Sequence, residues 1–225
     1  TFKINSLLQK NLMDIRLVVF DMDGTLIKKR TIFVFAEKLG FISKLGDILQ
    51  KMDLQPYQKT ILIASLLKGY YKDELLEFFR EIPLQDHIIE VISKLREKNI
   101  ITTIITDSYD FVAENLMFRL HIDDFYANNL IIKDGIITGE VIIHNKNLLR
   151  ECDNKIYSIC KSKIIEDLCD KLGISLKQVI AVGDGIVDRC MLKKAGIGIA
   201  FNAPTIVQKS ADYITNDLRD IFRFI

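Results

Sequence analysis

The stretch that decides the fold of this chain is IRLVVFDMDGTL, residues 15–26. Residues 17–20 form a short apolar run of the length that a buried strand needs, and the run stops at Asp21. A second carboxylate, Asp23, follows two residues later, with Gly24 directly behind it. The pattern predicts two acidic side chains held at the carboxyl end of a strand.

Two further apolar runs also end in polar residues. Residues 100–105 lead into a Thr-Asp-Ser sequence, and residues 179–182 lead into Gly-Asp-Gly-Ile-Val-Asp. Open α/β sheets bind their ligands outside the carboxyl ends of their strands. If the three strands are parallel neighbours, these side chains meet in one crevice: Asp21, Asp23, Thr106, Asp184 and Asp188.

This group of carboxylates implies a bound cation. Like charges a few ångströms apart repel each other by several kcal/mol at the low effective dielectric of a protein site. All the candidate ligands are oxygens, and the motifs contain no Cys or His. Oxygen ligands select a hard ion, so the expected cofactor is Mg²⁺.

The same motifs resemble those of the haloacid dehalogenase superfamily, and in particular its phosphoserine phosphatase-like branch. The family's Asp-x-Asp-Gly-Thr motif matches residues 21–25, its strand-ending Ser or Thr matches Thr106, its Lys matches Lys161, and its Gly-Asp-Gly-x-x-Asp motif matches residues 183–188. The resemblance covers residues 15–225. It implies an α/β fold with a Rossmann-like parallel sheet flanked by helices, and a small helical cap inserted after the first strand.

The resemblance also implies a role for each site residue. Asp21 is expected to be the nucleophile that forms an aspartyl-phosphate, and Asp23 the general acid and base. The expected metal ligands are Asp21, Asp23, Asp184 and Asp188, with the backbone carbonyl of Met22 nearby. Thr106 and Lys161 are expected to take part in catalysis by binding the phosphate. The expected substrate-binding residues are Gly24, Arg30, Thr106, Asp107 and Lys161.

Five positions depart from the family pattern. Asp107 and Ser108 replace a usual pair of glycines, and Val187 replaces a common Asn. Arg30 stands where phosphoserine phosphatases carry an acidic residue for the ammonium group, and Ile61 where they tend to carry an Arg for the carboxylate. The pattern predicts that phosphoserine is a poor substrate, and that Arg30 favours small phosphates with a second anionic group.

The remaining sequence predicts the domain organisation. Residues 28–84 have helical patterns and no strand signal, which is typical of the cap, so the α/β core comprises residues 13–27 and 85–225. Asp134 and Gly135 separate two β-rich stretches and predict a hairpin after the second motif. Residues 1–12 are expected to be either cloning-derived or a flexible extension upstream of a natural start at Met13.

Composition excludes several classes of partner. The formal net charge is +1, and charged residues make up 27% of the chain, so no global field favours nucleic acid or an anionic membrane. No apolar run approaches the length of a membrane span. The four cysteines lack a Cys-x-x-Cys pair and are expected to be free, mostly buried thiols. We therefore expect a cytoplasmic monomer or homodimer that binds a small phosphorylated metabolite.

Three functions fit the motifs. The first is a Mg²⁺-dependent phosphatase that hydrolyses a small phosphomonoester, a true phosphoserine phosphatase included. The second is a phosphotransferase or phosphomutase that passes the phosphoryl group to an acceptor other than water; Asp23 favours hydrolysis, because it offers water a base. The third is a binding module without turnover, which the complete catalytic set disfavours.

Overall fold

The computed structural model describes residues 14–225, so the predicted extension at residues 1–12 lies outside the described part of the chain. One mostly parallel sheet forms its centre. Its strands are β1 (Leu17–Phe20), β2 (Ile101–Tyr109), β3 (Asp124–Lys133), β4 (Ile136–Ile142), β5 (Val179–Gly183), β6 (Ile197–Phe201) and β7 (Tyr213–Thr215). Their order is β4-β3-β2-β1-β5-β6-β7, and only the β3–β4 pair is antiparallel.

Helices surround this sheet. Over residues 14–225 the α-helices are α1 (Thr31–Leu39), α2 (Ile42–Gln50), α3 (Pro56–Ser65), α4 (Lys72–Arg80), α5 (Ile88–Glu97), α6 (Asp110–Leu120), α7 (Lys161–Leu172), α8 (Arg189–Lys194) and α9 (Thr205–Gln208). Short 3₁₀ turns occur at Leu176–Gln178, Ile186–Asp188 and Leu218–Arg223. None of the described helices is long and apolar enough to span a bilayer.

The strand β1 lies at the centre of the sheet, and every one of its residues is buried. Val18 and Phe20 pack into the apolar cluster on one face, and Leu17 and Val19 into the cluster on the other. A strand covered on both faces is a continuous apolar run, which is the pattern read from the sequence. The predicted Rossmann-like architecture is confirmed.

Four of the helices between β1 and β2, α1 to α4, lie within residues 28–84, as the helical pattern of this stretch predicted. Side chains of these helices, such as Phe35 and Phe79, share one buried cluster with Val112 and Leu116 of α6. The helices α1 to α4 and the helix α6, which packs on the sheet, therefore share one hydrophobic core. The boundary of the cap at residues 28–84 stays a prediction.

The hairpin of β3 and β4 turns at Asp134 and Gly135, both with positive φ (51° and 77°). This conformation suits a two-residue hairpin turn and confirms the sequence prediction. The hairpin also binds the inserted helices through their backbone: Gly69 N donates to Ile137 O, and Lys72 N donates to Gly135 O, at 2.9 and 2.8 Å. The hairpin thus holds the α3–α4 connection beside the sheet.

The prediction of free thiols is correct for two of the four cysteines. Cys152 and Cys190 form a disulfide, so the expectation of free thiols is wrong for this pair. Cys160 and Cys169 are free and buried, as expected. The two bonded cysteines are 38 residues apart in sequence, and the fold brings their Cα atoms to 5.7 Å. Sequence spacing contains no signal for such a pair, because disulfide geometry depends on the tertiary structure.

Candidate active site

The nucleophile candidate, Asp21, follows directly after β1. Its backbone N–H donates to Val182 O of β5 at 2.9 Å, so the parallel pairing of the two strands continues to this residue. The side chain is only 4% exposed. The central position of β1 thus delivers a buried carboxylate to the carboxyl edge of the sheet, where ligands of α/β folds bind.

Lys161, at the first position of α7, is completely buried and joins two carboxylates. Its Nζ donates to Asp21 Oδ1 at 2.5 Å and to Asp188 Oδ1 at 2.7 Å. Burial alone would lower the pKa of this lysine, but the Asp188 and Asp21 carboxylates raise it, and the net direction is upward. The ammonium group therefore remains protonated in the site.

Asp188 is buried and uses its second oxygen to hold the loop that contains Asp184. The backbone N–H groups of Asp184 and Gly185 donate to Asp188 Oδ2 at 3.1 and 2.8 Å. A Cβ atom on Gly183 would come within 2.5 Å of Asp188 Cγ, so only glycine allows this approach. Asp188 positions Lys161 and the Asp184 loop at the same time.

Asp21, Asp184 and Asp188 form the group that could share a metal ion, with oxygens within 4.8 Å of one another. Burial raises the pKa of Asp21 well above its usual value, and repulsion from Asp188 adds to the effect. Burial, followed by repulsion from Asp188, also raises the pKa of Asp184, to about 6. Asp21 and Asp188 are buried and Asp184 is partly buried. Two cations face these three carboxylates: the Lys161 ammonium group and the Arg30 guanidinium. One negative charge is left over, which a metal ion can balance.

Asp23 lies outside that group of three and contacts α1 instead. Its Oδ1 accepts hydrogen bonds from the backbone N and the Oγ1 of Thr31, at 2.6 and 2.5 Å. Burial raises the pKa of Asp23 to about 6, although both hydrogen bonds from Thr31 lower it. A carboxyl group with this pKa can donate a proton and take one back near neutral pH.

The turn after Asp23 approaches Asp184 closely. Gly24 has φ +94°, and a Cβ there would lie 2.4 Å from Asp184 Oδ2. Thr25 Oγ1 donates to Asp184 Oδ1 at 3.4 Å, and Gln85 Nε2 donates to the Gly24 carbonyl at 2.9 Å. The sequence analysis assigned no role to Thr25, Gln85 or Thr31, because such contacts depend on tertiary structure.

Thr106 is buried on β2, the neighbour of β1, and its Oγ1 accepts from Ser108 N at 3.1 Å. The strand does not end at this residue, as the sequence analysis expected, but continues to Tyr109 with an irregular register against β3. Asp107 follows Thr106 and is exposed. Its carbonyl accepts from Asn128 Nδ2 at 2.7 Å, so β3 holds the backbone of this segment.

A cavity of about 140 Å³ lies between the inserted helices and the sheet edge. Its walls contain Asp23, Arg30, Ile32, Phe33, Leu49, Thr60, Ile63, Asp107, Ser108 and Tyr109. Arg30 is its one basic wall residue, and its guanidinium lies 4.0 Å from Asp184 Oδ2. Ile61 is 43% exposed and is not part of the wall. Lys28 pairs with Asp86 at 2.7 Å, on the surface.

Comparisons with known proteins agree with this geometry. Residues 18–193 match the family model for haloacid dehalogenase-like hydrolases. The phosphoserine phosphatase of Methanocaldococcus jannaschii is 30% identical over 93% of this chain and 97% of its own length. That of Archaeoglobus fulgidus is also 30% identical, over 88% of this chain, which spans 55% of that longer protein.

A solved structure described as a phospho-aspartyl intermediate analogue of phosphoserine phosphatase is 29% identical, with a TM-score of 0.79. The match covers 94% of this chain and 99% of that one. The chain therefore belongs to the haloacid dehalogenase-like hydrolase family. Within the family it falls in the phosphoserine phosphatase-like branch, and it is a phosphomonoester hydrolase.

Proposed function

We propose that this enzyme uses Mg²⁺ and an aspartyl-phosphate on Asp21 to hydrolyse a small phosphomonoester that carries a second anionic group. The observation that carries the proposal is the buried contact of Lys161 with Asp21 and Asp188, next to Asp184. The carboxylates supply a nucleophile and metal ligands, and the ammonium group supplies fixed positive charge.

In the first half of the reaction, a carboxylate oxygen of Asp21 attacks phosphorus, and the bond from phosphorus to the alcohol oxygen breaks. Asp23 gives its proton to the departing oxygen. In the second half, Asp23 takes a proton from water as the water oxygen attacks phosphorus, which frees Asp21 and releases phosphate. Lys161 stays protonated throughout and opposes the negative charge of the phosphoryl oxygens.

The residues present fit a divalent cation. The donor set is entirely oxygen, and the upward pKa shifts of Asp21 and Asp184 reflect carboxylates that repel each other in a buried site. Asp21 and Asp184 would hold Mg²⁺, with the Met22 carbonyl nearby. When bound, Mg²⁺ supplies charge neutralisation and alignment for the in-line displacement. Asp188 is fully engaged by Lys161 and two backbone amides, so its role is to position the other groups.

Arg30 supports the choice of substrate. Relatives named phosphoserine phosphatase act on phosphoserine by name, but here a guanidinium lines the cavity between the inserted helices and the sheet edge, together with Asp23. A guanidinium repels an ammonium group and binds a carboxylate or second phosphate through paired hydrogen bonds. The apolar wall residues leave room for a small carbon skeleton between the two anionic groups.

Hydrolysis is favoured over transfer to another acceptor, because Asp23 is a base with a pKa near 6 beside the nucleophile. We further propose that the enzyme works in the cytoplasm as a monomer or homodimer, without a nucleic-acid partner. The formal net charge of +1 supports the last point.

The substrate proposal predicts the effect of Arg30→Ala. Phosphate release should be measured with phosphoglycolate, O-phosphoserine, phosphoethanolamine and p-nitrophenyl phosphate. We expect KM for phosphoglycolate to rise about tenfold or more in the variant, since one charge-assisted contact contributes roughly 1.5–3 kcal/mol. KM for p-nitrophenyl phosphate should stay within about twofold.

The matched control is Lys29→Ala, which removes an equal charge from an exposed neighbour that does not line the cavity. It should leave every KM unchanged. The substrate proposal is wrong if O-phosphoserine is the best ester for the wild-type enzyme, or if Arg30→Ala weakens all four esters equally.

A further inference from the structure

The Cys152–Cys190 disulfide connects the two segments that carry the charges of the active site. Cys152 lies in the loop that leads into Lys161, and Cys190 is the second residue of α8, directly after Asp188 and Arg189. Lys161 Nζ and Asp188 Oδ1 are 2.7 Å apart. The two segments are therefore joined at two points: by the ion pair in the active site and by the disulfide.

The loop held by this disulfide has little regular structure of its own. Residues 143–160 contain neither helix nor strand. Besides the disulfide, the loop is held by Asn145, which bonds backbone groups within the loop, and by Ile156. Glu151, next to Cys152, is buried and accepts from the backbone N and the Oγ of Ser162, at the start of α7, at 3.2 and 2.8 Å. Ser158 Oγ accepts from Asn128 Nδ2 of β3 at 2.9 Å. Ile156 N donates to Gln55 Oε1, and Tyr57 N donates to Ile156 O, both at 3.1 Å. The loop thus contacts α3 through Ile156 and leads directly into Lys161. Greater mobility of the loop would therefore affect both the contact with α3 and the position of Lys161.

The disulfide is accessible, whereas the other two cysteines are not. Cys152 is exposed beside a cavity of about 340 Å³ whose wall includes the cations of Arg150, Lys193 and Lys194. Positive neighbours stabilise a thiolate and so favour thiol–disulfide exchange. Burial raises the thiol pKa of both Cys160 and Cys169, which makes them unreactive. Cys160 and Cys169 are already thiols, so the Cys152–Cys190 bond is the disulfide that a reductant can cleave, and the two buried thiols do not exchange with it.

We propose that this disulfide is a redox-modification site through which a dithiol reductant lowers the phosphatase activity; the inference rests on the proposed function. A thiolate of the dithiol attacks Cys152 Sγ, and the Cys190 sulfur leaves and takes a proton. The second thiol of the reductant then displaces Cys152. Two electrons and two protons pass to the protein, leaving two cysteine thiols and an oxidised, cyclic reductant. Disulfides of cytosolic proteins are usually transient bonds of this kind.

Reduction lowers activity because Cys152 then no longer holds its neighbour Glu151 against Ser162, in the first turn of α7 beside Lys161. Lys161 must remain within hydrogen-bond distance of Asp21 to oppose the charge on the phosphoryl group. A displacement of about 1 Å at such a residue costs up to about a hundredfold in rate. Inorganic phosphate, which needs the same ammonium group, should also bind more weakly.

The test compares the oxidised enzyme with the same enzyme treated with dithiothreitol, both in excess Mg²⁺ and with p-nitrophenyl phosphate as substrate. The number of thiols titrated in guanidinium should rise from two, those of Cys160 and Cys169, to four. We expect kcat/KM to fall about tenfold, inhibition by inorganic phosphate to weaken in parallel, and both to recover on reoxidation. Cys152→Ser should have the low activity without reductant and should not respond to it. The control Cys169→Ala keeps the disulfide and should respond fully.

Unchanged kcat/KM in an enzyme with four titrated thiols overturns the inference. An equal response of Cys152→Ser to dithiothreitol also overturns it, because the reductant then acts elsewhere, for example on the metal. A far-ultraviolet circular dichroism spectrum typical of an unfolded chain after reduction overturns the inference as well, because the loss of activity would then come from unfolding. Failure of the proposed function is distinct, since the oxidised enzyme would then release no phosphate from any ester before reductant is added.

Discussion

Asp23 and Asp21 are two residues apart, yet their surroundings give them different chemistry. Asp21 shares Lys161 with Asp188 and lies within 4.8 Å of Asp184, so charges of both signs surround it. Asp23 faces Thr31 and has a pKa of about 6. Such different surroundings fit two roles: a nucleophile that an ammonium group and a metal ion can hold ionised, and an acid that exchanges its proton near neutral pH.

The acid role predicts a dependence on the leaving group in Asp23→Asn. We expect kcat/KM for alkyl phosphates to fall about a hundredfold or more, the usual contribution of general acid catalysis. The loss for p-nitrophenyl phosphate should be under about tenfold, since nitrophenolate leaves without a proton. Because kcat/KM reports only the steps up to the phosphoenzyme, the later base role does not affect this comparison. Equal losses for both esters would exclude Asp23 as the acid.

At the scale of single residues, the motif residues could be predicted from the sequence. Asp21, Asp184, Asp188 and Lys161 lie together in the structure, because each follows or precedes an element whose apolar pattern is clear in the sequence. Thr31 and Gln85 were not predictable as site residues, and Thr25 was identified only as part of the motif, without its contact to Asp184. Their contacts bridge elements, and no spacing rule links them to the carboxylates they hold.

At the scale of elements, the contact that matters most is between Asp23 and α1. The first turn of a helix has backbone N–H groups without partners inside the helix, and Asp23 accepts one of them from Thr31. The residue that we propose as the acid thereby also caps the first helix of the insertion. Any shift of α1 changes the hydrogen bonds, and so the pKa, of Asp23.

Thr31→Val tests this connection. The substitution removes the hydroxyl donor at 2.5 Å and keeps the backbone donor and the shape of the side chain. Hydrogen bonds to an ionised carboxylate lower its pKa, so losing one raises the pKa of Asp23 above about 6. The acid then remains protonated to higher pH. The alkaline limb of kcat/KM against pH for alkyl phosphates should move to higher pH; a limb that stays in place or moves to lower pH contradicts the contact.

Some elements could be read from the sequence and others could not. The two β-rich stretches on either side of Asp134-Gly135 predicted the hairpin, because the local sequence of the turn determines this structure. The helix α2 has an apolar stripe, with Leu45 and Ile48 buried, but its N-cap makes no side-chain bond, so it lacked a start signal. The disulfide and the loop at residues 143–160 depend on tertiary contacts alone.

For the whole molecule, the buried carboxylates link metal binding to stability. Burial and repulsion from Asp188 raise the pKa of Asp21 well above 3.8 and that of Asp184 to about 6. Above about pH 4 the metal-free folded state therefore binds more protons than the unfolded chain, and for Asp184 this range ends near pH 6. This contribution to stability is present at low pH and is lost as the pH rises through the folded-state pKa values. We therefore expect Mg²⁺ to stabilise the protein more at pH 7 than at pH 5.

The measurement is Tm against Mg²⁺ concentration at the two pH values. Binding at a hundred times Kd contributes about 2.7 kcal/mol, or roughly 5–10 °C for a chain of this size. Asp184→Asn should remove most of the increase. Ca²⁺ should also raise Tm but should inhibit turnover, because it accepts irregular geometry that pulls Asp21 out of line. Full activity in EDTA would exclude the metal role.

The central claim, that Asp21 carries the phosphoryl group during turnover, is tested most directly by trapping the intermediate. The enzyme is mixed with excess substrate and quenched in acid within the first turnovers, and its peptides are analysed by mass spectrometry. The account predicts one added phosphoryl group on the peptide that contains Asp21, absent from Asp21→Asn, which should also lose at least about 10³-fold in kcat while keeping the wild-type fold. An unmodified Asp21 peptide in a burst of product, or wild-type turnover by Asp21→Asn, would contradict it.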